Sequence, residues 1–163
     1  MSDRNWFRSN SWSPEIEEQF NARVARIAWC TVSTVDRKGR PRSRILHPIW
    51  EGSVGWIATG PQSHKAKHLA GNPYVSLSYW DPKHEQVYVD CKAEWDNSMA
   101  TKRRIWELYK STPPPLGYDP GMIWKSVEDE SFGVLKLTPW RIEISALADL
   151  PTGRQPLVWR ARD

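Results

Sequence analysis

Residues 59–80, TGPQSHKAKHLAGNPYVSLSYW, carry the transition that decides the architecture. Thr59 closes one β-rich run, and Ser63 is a helix N-cap candidate four residues later. Ala66, Leu69 and Ala70 recur at helical spacing as the inward stripe. Gly71 suits the position after a helix end, and Pro73 cannot continue a helix. YVSLSYW then alternates as a half-buried strand does. The predicted unit is strand, short helix, strand. Its helix start holds His64, Lys65, Lys67 and His68, although the free amides there disfavour cations. An anion seated among those amides, the Ser63 hydroxyl and the Lys65 ammonium would reverse that balance.

Upstream, SPEIEEQFNARVARIAW opens like a helix, with Ser13 as N-cap, Pro14 at the first position and acids in the first turn. Ile16, Phe20, Val24 and Ile27 follow at helical spacing. IAWCTVSTV and RSRILHPIW then read as the two arms of a hairpin about DRKGRP, with VGWIAT as a third strand. Downstream, QVYVDCKAEW returns from YVSLSYW through DPKH. Asn97 or Ser98 caps a helix through Lys110 with Ile105, Leu108 and Tyr109 inward. STPPPLGYDPG is an irregular loop, since three prolines remove donors and fix φ. FGVLKL and WRIEISAL are expected as two closing strands. The expected division is a loose arm over 1–12, one domain over 13–147 and a tail over 148–163. Five to seven antiparallel strands with two or three helices predict a mainly β protein, a β-barrel or α+β roll.

A length of 163 residues suits a single core. Eleven tryptophans are spread along the chain, and core or dimer-interface packing accounts for them better than ligand stacking. The net charge of +4 suits an anionic ligand without demanding one. Basic residues do not cluster with aromatics in the manner of a nucleic-acid surface, so no nucleic-acid partner is expected. Cys30 and Cys91 lie in strand-like runs without metal-ligand spacing and read as reduced core residues; no metal is expected. The N-terminus shows no hydrophobic signal region and no apolar run approaches spanning length, so a cytoplasmic protein without membrane contact is expected.

Arg42 and Arg44 stand two apart and therefore share a strand face. That strand is expected to pair with the one ending at Thr59, which would bring two guanidinium groups beside the helix start. The alternative is a solvated strand edge beside a wet helix face.

SHKAKHLAGNPYVSL closely resembles the phosphate-binding segment of the pyridoxamine 5′-phosphate oxidase family of FMN-binding split barrels. RIL at 44–46 is similar to that family's cofactor-lining strand, Thr59 stands where its Thr precedes its Ser, and EQVYVDCKAEW is similar to its Gln-Val strand. The four motifs fall in order over roughly residues 24 to 110. The resemblance implies an antiparallel, Greek-key-type split β-barrel. It implies that Arg44, Ser63 and Lys65 contact the cofactor phosphate. Ile45, Leu46 and Thr59 would lie along the ring or ribityl chain, and Gln86 would hydrogen-bond from the fifth strand. His64 stands where the family usually has Arg, and Arg42, outside the motif, could compensate for it.

The oxidase's second strand continues to a substrate-binding Lys, whereas this chain reads HPIW. Its end, RQPLVWRARD, lacks the oxidase's closing Arg-Leu-x-Pro and Arg-x-His, so vitamin B6 oxidase activity is not expected. The helix start also resembles that of relatives using the deazaflavin F420, whose phosphate and oligoglutamate tail suit surplus Lys and Arg. The expected function is hydride transfer between FMN, or F420, and a small organic substrate. A homodimer with shared cofactor sites is implied, and PPPLGYDPGMIW could serve the second subunit's site. His47 could act as a proton donor near the ring, or pack as an ordinary histidine before Pro48. Trp56, Trp80 and Trp124 could line an apolar pocket or fill the core. The other class is a non-catalytic flavin- or haem-binding split barrel, with His47 or His84 as iron ligand.

Overall fold

The computed structural model describes residues 11–162; the first ten residues of the expected N-terminal arm lie outside the described residues. Helix α1 (Pro14–Val24) starts as its sequence requires, Ser13 Oγ accepting from the Ile16 amide at 3.3 Å. Strands β1 (Cys30–Val35), β2 (Pro41–Leu46), β3 (Ile49–Glu51) and β4 (Val54–Thr59) follow, then α2 (His64–Gly71). Strands β5 (Tyr74–Trp80) and β6 (Glu85–Trp95) come next, then α3 (Met99–Ser111), β7 (Gly133–Ala146) and β8 (Leu157–Arg160). Ser98 caps α3, accepting from the Thr101 amide.

One sheet runs β2-β1-β5-β6-β7-β4-β3, with β8 beside β7. The end strands β2 and β3 are separated in the chain only by His47 and Pro48, so the sheet curls until its two edges are covalently continuous. That closure makes the barrel. RSRILHPIW, expected as one strand, is therefore two. Pro48 supplies no amide donor, and the chain turns from β1 to β4 at that point. The reverse holds at FGVLKL and WRIEISAL, which form the single long β7. Its first half pairs with β4 and its second with β8, and the register against β6 shifts beside Pro139.

The expected tail contributes β8, so its second half belongs to the sheet. Trp12, assigned to the loose arm, packs edge-on against Phe20 and Trp159 at 4.9 and 6.0 Å. Ile27 is buried but lies beyond the end of α1.

Val32, Leu77, Val89 and Ile142 form one buried row across β1, β5, β6 and β7. Ile16, Phe20 and Val24 of α1 join this core, and burying each contributes roughly 1.5–3 kcal/mol. A second core forms where Ile49, Trp56 and Val134 meet Ile105 and Tyr109 of α3. Strand β4 thus has apolar neighbours on both faces, Ile57 in the first core and Trp56 in the second.

Candidate anion and cofactor site

Strand β1 alternates, with Cys30, Val32 and Thr34 on its buried side. Thr34 is 1% exposed, and a hydroxyl buried so deeply needs partners. It has two. Arg44 Nη1 donates to Thr34 Oγ1 at 2.7 Å, and His68 Nδ1 of α2 lies 2.8 Å from the same oxygen. Arg44 Nη1 also donates to the Val32 carbonyl at 3.2 Å. At the helix start, Lys65 Nζ donates to Ser63 Oγ at 2.9 Å. Ser63 occupies the N-cap position, but its side chain does not cap the backbone as the sequence suggested, because its hydroxyl is engaged by Lys65.

Arg44 and Lys65 face a common region. Burial first, and the Arg44 charge second, pull the Lys65 ammonium below the ordinary lysine value. Burial first, and Arg42 second, lower Arg44 likewise. Among the described residues no carboxylate pairs with either. Asp36, on the β1–β2 turn, is engaged by Arg40 and by the amides of Lys38 and Arg40. Two half-buried cations beside a hydroxyl, with no counter-charge, are the donors that a bound anion would need, which makes this the candidate anion seat.

The structure thus brings together Arg44, Ser63 and Lys65. Arg42 lies two residues along the same face and is exposed. His64 turns toward a neighbouring basic groove of about 450 Å³, shared with Arg37, Lys38, Arg40 and Lys67. Thr59 is buried at the end of β4 opposite Gly133. A β-carbon at Gly133 would lie 2.9 Å from both the Thr59 carbonyl oxygen and Pro61 Cδ, so only glycine lets this loop lie so close to β7.

Other expectations are corrected by the register. The Arg42–Arg44 stretch pairs with β1, as Arg42↔Thr34 and Arg44↔Val32, and not with the strand ending at Thr59. Ile45 and Leu46 point to opposite faces, Ile45 being 59% exposed and Leu46 packed against the main core. Their side chains cannot both line one ligand. Gln86 lies three strands from β2, ~14 Å at ordinary strand spacing. It alternates with buried Val87 and so sits on the outer face, where its side-chain carbonyl accepts from Tyr88 Oη and Ser145 Oγ. One chain does not bring Gln86 to the anion seat.

In the helix, Ala70 is exposed and Leu69 alone is fully buried, while Gly71 belongs to the last turn and Asn72 caps it. Trp56 and Trp124 are buried in the second core and Trp80 is 57% exposed, so the three do not form one pocket. His47 is buried among Trp29, Tyr109 and Tyr118, with no hydrogen bond completed at either ring nitrogen. Burial pushes its imidazole below the ordinary value, partly opposed by the Leu116 carbonyl. Among the described residues, no group of three or more His, Cys, Asp or Glu could hold a metal, and no helix is long and apolar enough to cross a membrane.

Thr34 was not singled out in the sequence, and His68 only as one of the basic residues at the helix start. The available signal was a hydroxyl at an inward position of an otherwise apolar strand row.

Residues 16–144 match the pyridoxamine 5′-phosphate oxidase family. A pyridoxine/pyridoxamine 5′-phosphate oxidase from Paraburkholderia phytofirmans is 35% identical over 91 residues, covering 54% of this chain and 41% of that protein. Pyridoxine-5′-phosphate oxidase from Bos taurus is 36% identical over 87 residues, 52% of this chain and 30% of that protein. The matched part is therefore less than half the length of these curated relatives.

Among solved structures, a protein related to general stress protein 26 from Clostridium acetobutylicum superposes with a TM-score of 0.72 at 14% identity, covering 91% of this chain and 96% of that one. A pyridoxamine 5′-phosphate oxidase-related, FMN-binding protein from Nostoc punctiforme gives 0.64 at 16%, covering 94% and 99%. An F420 reductase gives 0.53 at 16%, covering 75% and 94%. At such identities these structures establish the fold, a split barrel with flanking helices. The family match, spanning α1 to the end of β7, fits the segment that builds the Arg44–Ser63–Lys65 seat, and this chain belongs to the pyridoxamine 5′-phosphate oxidase family.

Proposed function

We propose that Arg44, Ser63 and Lys65 hold the phosphate of a flavin-type cofactor, and that the chain is an oxidoreductase acting on a small organic substrate. The observation that carries this reading is the pair of desolvated cations without a carboxylate between them. The donor set fits a phosphate monoester: a guanidinium, an ammonium and a hydroxyl at a helix start. When bound, the cofactor supplies hydride exchange at its ring. The chain's part is to fix the phosphate, and hence the position of the ring relative to β2 and Thr59.

FMN is favoured over F420 by Ser63 beside Lys65, while the basic groove at Arg37, Lys38 and Lys67 is what would suit F420. Vitamin B6 oxidation is disfavoured, since Pro48 and Ile49 are buried at the kink between β2 and β3 and offer no cation there. A homodimer completes the reading. Ile45, Trp80 and Val158 are exposed on the outer sheet face that also carries Gln86, and a second copy covering that face would bring its Gln86 toward this chain's cofactor. Cys30 and Cys91 are free and buried, the Cys30 thiol pushed up to about 12 by burial, which suits a reducing, cytoplasmic setting.

Parallel titrations with FMN, F420 and haem, read by tryptophan quenching, test the proposal. Saturable flavin binding followed by reduction with NAD(P)H and reoxidation by an acceptor supports it. Binding without turnover identifies a carrier. Binding of haem alone overturns it and points to the buried His47.

A further inference from the structure

Arg44 Nη1 carries two hydrogens, and both are used, one on the Val32 carbonyl and one on Thr34 Oγ1. The guanidinium plane is thereby held. Among the described residues the Nε and Nη2 edge has no protein acceptor, and that edge is the fork that grips two phosphate oxygens. Thr34 Oγ1 accepts from Arg44, so its own proton is available for His68 Nδ1, 2.8 Å away. With Nδ1 as the acceptor, His68 turns the hydroxyl's lone pair toward Arg44. Thr34 lies in strand β1 and His68 in helix α2, so the chain Arg44–Thr34–His68 also ties the helix start to the strand that carries the guanidinium.

We infer that Thr34 and His68 are positioning residues for the anion seat. They act through Arg44, preorganising its free edge toward the phosphate. This rests on the phosphate reading above.

The test compares FMN with riboflavin, which differs from it by the phosphate alone. Thr34→Val keeps the shape and β-propensity but removes the hydroxyl, and Thr34→Ser restores it. His68→Leu removes the acceptor from the helix side, and His68→Asn returns one near the Nδ1 position. The expected result is that Thr34→Val weakens FMN about tenfold or more, the scale of one hydrogen bond to a charged group. Riboflavin affinity stays within about twofold, Thr34→Ser stays close to wild type, and His68→Leu gives a smaller loss of FMN affinity that His68→Asn recovers.

FMN affinity unchanged in both Thr34→Val and His68→Leu overturns the inference. So does an equal loss of FMN and riboflavin, which would mark a purely structural role. A wild-type protein that does not prefer FMN to riboflavin overturns the phosphate reading itself, and the inference with it. Should Thr34→Val fail to fold, His68→Leu and His68→Asn carry the same comparison from a half-buried helix position.

Discussion

Arg23 and Arg44 look alike at close range, and the difference between their surroundings separates structure from function. Each uses Nη1 on two acceptors, and burial is the first cause lowering both. Arg23 donates to the carbonyls of Gln86 and Ser145 at 2.8 and 2.5 Å and clamps β6 to β7 from helix α1. The Arg26 charge, and more weakly that of Arg154, adds to its cost of burial, and the charges of Asp149 and Asp81 partly offset it. Arg44 has no such compensation; its neighbours are Arg42 and Lys65. A buried cation with acidic neighbours holds the fold. On the function proposed above, a bound phosphate would supply the charge that Arg44 lacks.

The largest expected effect is on Arg44 and Lys65 together. The double replacement Arg44→Ala and Lys65→Ala should cut FMN affinity by more than about 100-fold, two charge-assisted bonds being lost, while the free protein stays folded, with a modest loss of thermal stability from the Val32 carbonyl and Thr34 hydroxyl left without their donor. Retained affinity would remove the distinction drawn between the two arginines. Arg23→Met should do the reverse. It leaves two part-buried carbonyls without their donor, for a loss of about 2 kcal/mol in urea unfolding, with FMN affinity per folded molecule unaltered.

Tyr109→Phe is the neutral counterpart of the Arg23 clamp. Its hydroxyl donates within the second core, where the carbonyls of His47 and Trp56 lie 2.5 and 3.0 Å away, and its removal should cost about 1 kcal/mol.

The smallest and sharpest effect is a pH dependence with two signs. Lys65 is depressed in the folded protein, so the unfolded chain holds this proton to higher pH. Between the folded value and 10.5, stability of the free protein should therefore rise with pH. FMN affinity should fall across the same window, because the phosphate needs the ammonium. Arg44→Met removes the second cause of the depression and should move both changes toward higher pH.

The helix start of the proposed site was legible because it is local: Ser63, Lys65 and the helix that follows lie within one short segment, while their role toward a phosphate was implied by the family resemblance. Arg44 was legible as a charge but not as a contact. Its pairing with Val32, and Arg42's with Thr34, is a matter of register across the hairpin read about DRKGRP; what the fold overturned is the added expectation that this strand also pairs with the one ending at Thr59. Gln86 shows the same limit. One step of alternation sends its side chain to the face opposite Val87, away from the seat within this chain.

What the sequence alone determined was the succession of elements, including the caps at Ser13 and Ser98 and the strand–helix–strand unit around residues 59–80. Caps, turn residues and hydrophobic period act over fewer than ten residues, so they can be read without the fold. The tertiary structure alone decided that β2 and β3 form the two ends of one closing sheet, that β7 is continuous past Pro139, and that the expected tail supplies β8. It also decided that Thr34 and His68, 34 positions apart, share a hydrogen bond beneath Arg44. These outcomes depend on register and closure. A strand's register is set by which face must be buried against the rest of the molecule, and no local segment contains that information.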